Sequence, residues 1–380
     1  MTGPAPAVAL LGRLPWGLLG MIALTAAVEA FIAGRGPDFR STADWGWAVT
    51  GKAARVEGPG RDVLVFGDSL VKLGVAPGLV AVRSGRSTYN LALCGGQAPS
   101  TYFLLRRALD AGARPSAVLV DFFPRLQQLG PRHGIELWPA LLGPIEAVEL
   151  AWVARDPDLL ASILVARALP SVRARHALRS SILAALDGRP SPSRDATRAY
   201  RRNWRKNLGA QIMPCGVDPD GDFARVRRDF FSDLDFDPVN VAFMERFLAL
   251  AASRGIPVYY LVPPMKPGLQ AECERSGFDA SYVAFLEGIR SRYPNVVMVD
   301  ARHAAFDPAL FYDPNHLGRD GAWAYSIALG DLLARRPPGS PGPRWVEVPG
   351  FRGLPGGAPP EDVNQSSVSI LAGDRPGLIR

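Results

Sequence analysis

Four consecutive apolar residues, Val63, Leu64, Val65 and Phe66, stop at Gly67-Asp68-Ser69-Leu70. A run this short, apolar at every position and closed by glycine, reads as a strand buried on both faces, the habit of parallel sheets covered by helices. Further strands are expected at 88–93, 117–120, 257–262 and 296–299, separated by helical stretches near 70–82, 100–111, 241–254, 282–292 and 321–335. Strands interleaved with helices specify an α/β chain with one parallel sheet and helices on both faces. Ligands bind such a sheet at the carboxyl ends of its strands, which is where Asp68 and Ser69 stand. Either residue also suits the N-cap of the next helix, so the run alone does not assign chemistry.

A second motif changes its weight. Asp313 and His316 stand in Asp-x-x-His spacing within Phe311-Tyr-Asp-Pro-Asn-His316, and Pro314 stiffens the turn between them. A serine hydroxyl becomes a good nucleophile only when a base takes its proton, usually an imidazole oriented by a carboxylate. One loop can deliver both partners. Asp-x-x-His by itself is commonly a capping turn; paired with an exposed serine in this chain order it points to a nucleophile, a base and an orienting carboxylate.

With Tyr89-Asn-Leu-Ala-Leu-Cys-Gly-Gly96 added, the chain resembles the SGNH (GDSL) hydrolase family over about 61–123 and 240–335. The resemblance implies a three-layer, flavodoxin-like parallel sheet. It implies Ser69 as nucleophile, His316 as base and Asp313 as its partner, with backbone N–H groups of Ser69 and Gly95 receiving the oxyanion and Gly96 as the alternative donor. The implied chemistry is ester hydrolysis or O-acyl transfer through an acyl-serine, with no metal and no cofactor, on acylated cell-envelope carbohydrate or lipid. The family's third block, a Gly-x-Asn-Asp type stretch, is replaced by Asp121-Phe-Phe-Pro124. Losing one oxyanion donor costs about 2.7–4 kcal/mol of transition-state stabilisation, so a weakly active scaffold binding carbohydrate or a membrane partner is the alternative. Asp121 would replace the asparagine only if protonated, and an ordinary ionised carboxylate is expected.

The remaining chain is read around this domain, 61–335. Residues 14–33 are apolar except for Glu29, long enough to cross a bilayer. An uncleaved anchor in 1–33 is expected over a signal peptide, with the domain extracytoplasmic, in the periplasm or at the cell surface. Residues 34–60 read as a connector, and 125–238 as a helical insertion interrupted at Pro139, Pro157 and Pro170. Between Arg167 and Lys206 it holds eleven basic residues against two acidic ones, either a solvated face or a surface for an anionic partner. The net charge of +7 is carried mostly by arginine, and no nucleic-acid-binding motif accompanies it. Cys94, Cys215 and Cys273 are too few and too scattered for a disulfide framework or a zinc site, although a Cys215–Cys273 bridge is open in an oxidising compartment. His133, His176 and His303 lack partners at useful spacing, and Lys266 is expected at the surface. Residues 336–380, rich in Pro and Gly at first, are expected to be disordered.

Overall fold

The computed structural model describes residues 15–35, 39–189, 192–216 and 234–367, with side chains left aside at 192–195. Helix α1 (Trp16–Gly34) and α2 (Thr42–Val56) precede β1 (Val63–Phe66), α3 (Ser69–Gly74), α4 (Pro77–Ser84), β2 (Thr88–Asn90), α5 (Ala98–Asp110) and β3 (Ala117–Val120). The insertion carries α6 (Pro124–Gln127), α7 (Trp138–Leu141), α8 (Pro144–Ala154), α9 (Pro157–Ala168), α10 (Pro170–Arg173), α11 (Arg175–Leu186) and α12 (Pro192–Lys206). Then come α13 (Pro238–Ser253), β4 (Val258–Val262), α14 (Pro267–Arg275), α15 (Phe278–Arg292), β5 (Val296–Asp300), α16 (Arg319–Arg335) and β6 (Trp345–Glu347).

The six strands form one parallel sheet in the order β2-β1-β3-β4-β5-β6. The alternation of side chains along each strand divides the core in two. Leu64, Phe66, Val118, Val120, Val258, Tyr260, Val296 and Met298 pack with Trp47 of α2, Phe103 of α5, Phe243 of α13 and Leu286 of α15. Val63, Val65, Ala117, Leu119, Tyr259, Leu261 and Val299 face Val71 of α3, Val80 of α4 and Tyr325 and Leu329 of α16. Strands apolar at every position follow directly from having helices on both faces.

Several expectations need correction. The region 34–60 is no mere connector: α2 sits against α5, with Trp47, Ala53 and Ala54 buried. Trp47 packs edge-on to Trp138 at 5.1 Å, and its indole N–H donates to the Cys94 carbonyl at 3.0 Å. The sequence hides this helix because, apart from Trp47, its buried face is made of small or polar residues: Asp44, Gly46, Thr50, Gly51, Ala53 and Ala54. The helical stretch after Ser69 divides at Ala76, where Pro77 opens a new helix. The helix expected from 100 starts earlier, at Ala98, with Gln97 as its cap residue, and the Ser100 hydroxyl donates back to the Gln97 carbonyl. Pro139, Pro157 and Pro170 stand in first turns of α7, α9 and α10, where a missing N–H costs nothing. Residues 336–367 are built into the fold. There β6 pairs with the otherwise open edge of β5, and the Val363 N–H donates to the Ile212 carbonyl. The last part of that predicted tail, 368–380, lies outside the described residues.

Helix α1 is long and apolar enough to span a membrane or to act as a signal sequence, and nearly all of it is exposed. It touches the insertion: the Glu29 carboxylate accepts the Ser171 N–H at 2.9 Å and also its hydroxyl.

Replacing Trp47 by Ala deletes a buried indole and leaves the Cys94 carbonyl without its donor. Urea unfolding should show a loss of about 3–5 kcal/mol; a loss under about 1 kcal/mol would mean that α2 is not part of the core.

Candidate active site

The chain leaves β1 through Gly67, whose φ of +133° L side chains rarely adopt. A Cβ there would lie 1.6 Å from Asp121 Oδ1, so the position has no room for any other residue. The tight approach lets the Asp68 N–H donate to Asp121 Oδ1 at 3.0 Å. Asp68 then caps α3, its Oδ1 accepting the Leu70 N–H at 2.8 Å. Asp68 thus takes the capping role, and Ser69, half-buried at the first helical position, is left with its hydroxyl available.

The other half arrives on the loop before α16. Asp313 Oδ1 accepts the N–H groups of Asn315 at 3.0 Å and His316 at 2.8 Å, an Asx turn that fixes the carboxylate against its own loop. The turn is closed by the Tyr312 N–H donating to the His316 carbonyl and braced from outside by the Lys266 N–H donating to the Pro314 carbonyl. The imidazole Nδ1 lies 2.7 Å from Asp313 Oδ2, and Nε2 lies 2.7 Å from Ser69 Oγ. A carboxylate at Nδ1 selects the tautomer with its proton there, leaving Nε2 to accept from the hydroxyl. Burial pushes the Asp313 carboxyl up, but the imidazole and the two backbone donors outweigh it and hold it below the ordinary Asp value.

The loop after β2 closes the third side. The Leu93 N–H donates to the Gly67 carbonyl at 3.0 Å, and Gly96 packs so tightly that a Cβ would sit 3.0 Å from that oxygen. The Gly96 N–H is engaged by the Leu93 carbonyl. That choice leaves Gly95, at φ +70°, as the residue of the pair with an uncommitted N–H among the described residues. The Ser69 N–H, at a helix start, has no intrahelical acceptor either.

Behind the serine lies a buried carboxyl pair. Asp68 Oδ2 also accepts the Phe123 N–H at 3.2 Å. Burial raises Asp68 to about 6 despite these donors, and raises Asp121 well above the ordinary range, the Asp68 charge adding to it. Asp68 has two backbone donors and Asp121 one, so Asp68 ionises first and Asp121 keeps its proton. The expectation of an ionised Asp121 is therefore corrected. Its Oδ1 is nevertheless committed to the backbone behind Gly67.

Other predicted positions lie elsewhere. His176 and His303 are exposed, beside Glu136 and Glu274 and away from Ser69. Lys266 is buried rather than on the surface, because its segment packs against the Asp313 loop. The three cysteines are free: Cys215 accepts the Asp320 N–H, whereas Cys273 packs with Leu269 and Phe278, so no bridge joins them. No group of residues suited to a metal occurs among the described residues. The residue that sequence reasoning passed over is Lys72, three positions beyond Ser69, which is buried without a hydrogen-bond partner among the described residues.

No family model matches the chain, and no curated protein matches it.

The carboxyl pair sets a pH dependence. Folding favours protonated Asp68, so its contribution to stability is complete below the ordinary value of 3.8 and is lost as pH rises through about 6. Asp121→Asn keeps an acceptor for the Asp68 N–H and removes a carboxyl that folding forces to hold its proton above the ordinary range. Its urea midpoint should exceed that of the native chain by more at pH 8 than at pH 4; an equal difference at both would refute a proton held on Asp121.

Proposed function

We propose that the protein is a serine esterase or O-acyltransferase of the SGNH type, attached to a membrane, acting through an acyl-serine. The observation that carries the reading is the 2.7 Å approach of His316 Nε2 to Ser69 Oγ, with Asp313 on the opposite nitrogen. The strand order 2-1-3-4-5 supports it, being the doubly wound order in which sites form at the carboxyl edge. In the forward step Ser69 Oγ bonds to the ester carbon and its proton passes to His316 Nε2. The carbonyl pair becomes an oxyanion beside the Ser69 and Gly95 N–H groups. Collapse restores the carbonyl and breaks the bond to the leaving oxygen, which takes the proton from His316. Water or a second hydroxyl then repeats the sequence in reverse, giving hydrolysis or transfer. Acylated carbohydrate or lipid of a cell envelope is the substrate class that suits this chemistry beside a membrane.

Membrane attachment draws support from the insertion as well as from α1. The outward faces of α8, α9 and α11 are apolar: Ile145, Val148 and Trp152, then Leu164 and Val165, then Ile182, Leu183 and Leu186 are all exposed. Helix α9 packs on α8 and α10, and α10 on α1, so a chain of helix contacts links these faces to the apolar helix. Water is a poor solvent for such faces; the interfacial zone of a bilayer suits them, with Arg155, Arg167, Arg175 and Arg179 exposed nearby for lipid phosphates.

The absent third-block asparagine favours a second reading, a scaffold that binds an acylated envelope component without turning it over. The two differ in one assay. The purified full chain should hydrolyse a short-chain aryl ester and label at Ser69 with a fluorophosphonate, and Ser69→Ala should lose both. Equal rates and no labelling in either protein would leave only the binding scaffold.

Placement of the band is tested in proteoliposomes. The tryptophan emission lost in Trp152→Phe should be the part most strongly quenched by lipids brominated on their acyl chains. An unquenched difference would put that face in water.

A further inference from the structure

Lys72 is 2 % exposed, and its ammonium has no hydrogen-bond partner among the described residues. A buried cation without a partner is costly, and such exceptions call for a physical reason. Its surroundings supply one. Ser69 and Lys72 are three apart on α3, and side chains at that spacing share a helix face with Cβ atoms about 5–6 Å apart. The main chain of Lys72 is pinned at both ends: its N–H donates to the Asp68 carbonyl at 2.9 Å, and its own carbonyl accepts the Gln211 N–H at 2.9 Å. The titratable group that its ammonium senses is Cys94, the residue before Gly95. Cys94 in turn faces Tyr200 at 3.6 Å and senses Asp68. Lys72 therefore stands three residues from the nucleophile on the same helix, buried and with an unpaired ammonium, in a chain that lacks the usual side-chain donor.

We propose that Lys72 is the third oxyanion donor of the Ser69 site, replacing an asparagine amide by an ammonium. This inference rests on the acyl-serine reading. When Ser69 Oγ bonds to the ester carbon, negative charge develops on the former carbonyl oxygen between Ser69 and Gly95. The ammonium donates a hydrogen bond to it and releases it on collapse; no bond to Lys72 forms and its proton stays in place. Burial lowers its pKa to about 8, with Cys94 opposing the shift, so the cation still predominates at neutral pH. A point charge in a poorly solvated site strengthens attraction to the oxyanion more than to a neutral ester. The absence of a partner in the resting state is then the condition for transition-state selectivity.

A structural lysine and a catalytic one respond in opposite ways to Lys72→Met, which keeps the length and apolar stem but removes the charge. The proposal expects kcat for a short-chain aryl ester to fall about 100- to 1,000-fold, as for removal of one oxyanion donor. KM should change less than about threefold, and the urea midpoint should rise because an unpaired buried charge is gone. Lys72→Gln, which keeps a donor without the charge, should retain more activity than Lys72→Met and guards against misfolding of a single variant. Ser69-dependent turnover that survives both substitutions within about threefold would overturn the role of Lys72 while leaving the acyl-serine reading intact. A folded native chain no faster than Ser69→Ala would overturn both.

Discussion

At the exit of β1 two backbone segments come so close that a single extra carbon cannot be accommodated. The Cβ that any other residue would place at 67 falls 1.6 Å from the Asp121 carboxyl. This contact joins the ends of β1 and β3, turns Asp68 inward as a cap, and presents Ser69 outward at the first turn of α3. The loop after β2 settles on the same spot through the Gly67 carbonyl. Three adjacent strands thus end at one point, and the loop between β5 and α16 has only to reach that point for its imidazole to meet the serine.

That edge concentrates features which oppose folding. Asp68 and Asp121 are both buried with raised carboxyl pKa values, and Lys72 holds a buried ammonium without a partner among the described residues. Helix packing on both sheet faces offsets them. Trp47, Phe103, Phe243 and Tyr325 are almost wholly buried there. Buried ions elsewhere do find partners: Arg107 meets Glu146 between α5 and α8, and at the end of β5 Arg302 bridges Asp300 and Asp279 with both contacts at 2.6 Å. Polar groups at the candidate site are instead gathered around Ser69, and their cost is borne by the core.

The insertion joins the site to the rest of the molecule. Its returning segment runs past β2, where a Cβ on Gly209 would collide with the Asn90 carbonyl, and the Gln211 N–H reaches Lys72. Midway along it Ser171 holds Glu29 of α1. The insertion therefore touches both the apolar N-terminal helix and the turn that carries Ser69.

Much of the architecture was legible in the residues because its signals are local. Runs such as Val63–Phe66 and Ala117–Val120 are apolar at every position, which only a strand covered on both faces tolerates, and the interleaved helices followed from that. Pro314 between Asp313 and His316 likewise announced a stiff turn. The Asx bonds of Asp313 need no other part of the chain. What stayed hidden depends on distant partners. Helix α2 and strand β6 carry weak patterns and owe their order to the surfaces of α5 and β5. The proton on Asp121 comes from burial beside Asp68, 53 positions earlier in the chain, and nothing in Asp-Phe-Phe-Pro reveals it. Lys72 reads as an ordinary surface lysine until the Gln211 segment closes over it. Local pattern determined the strands and the turn; only the folded chain decided which charges lost their water, because desolvation is set by whatever packs above a group, not by its sequence neighbours.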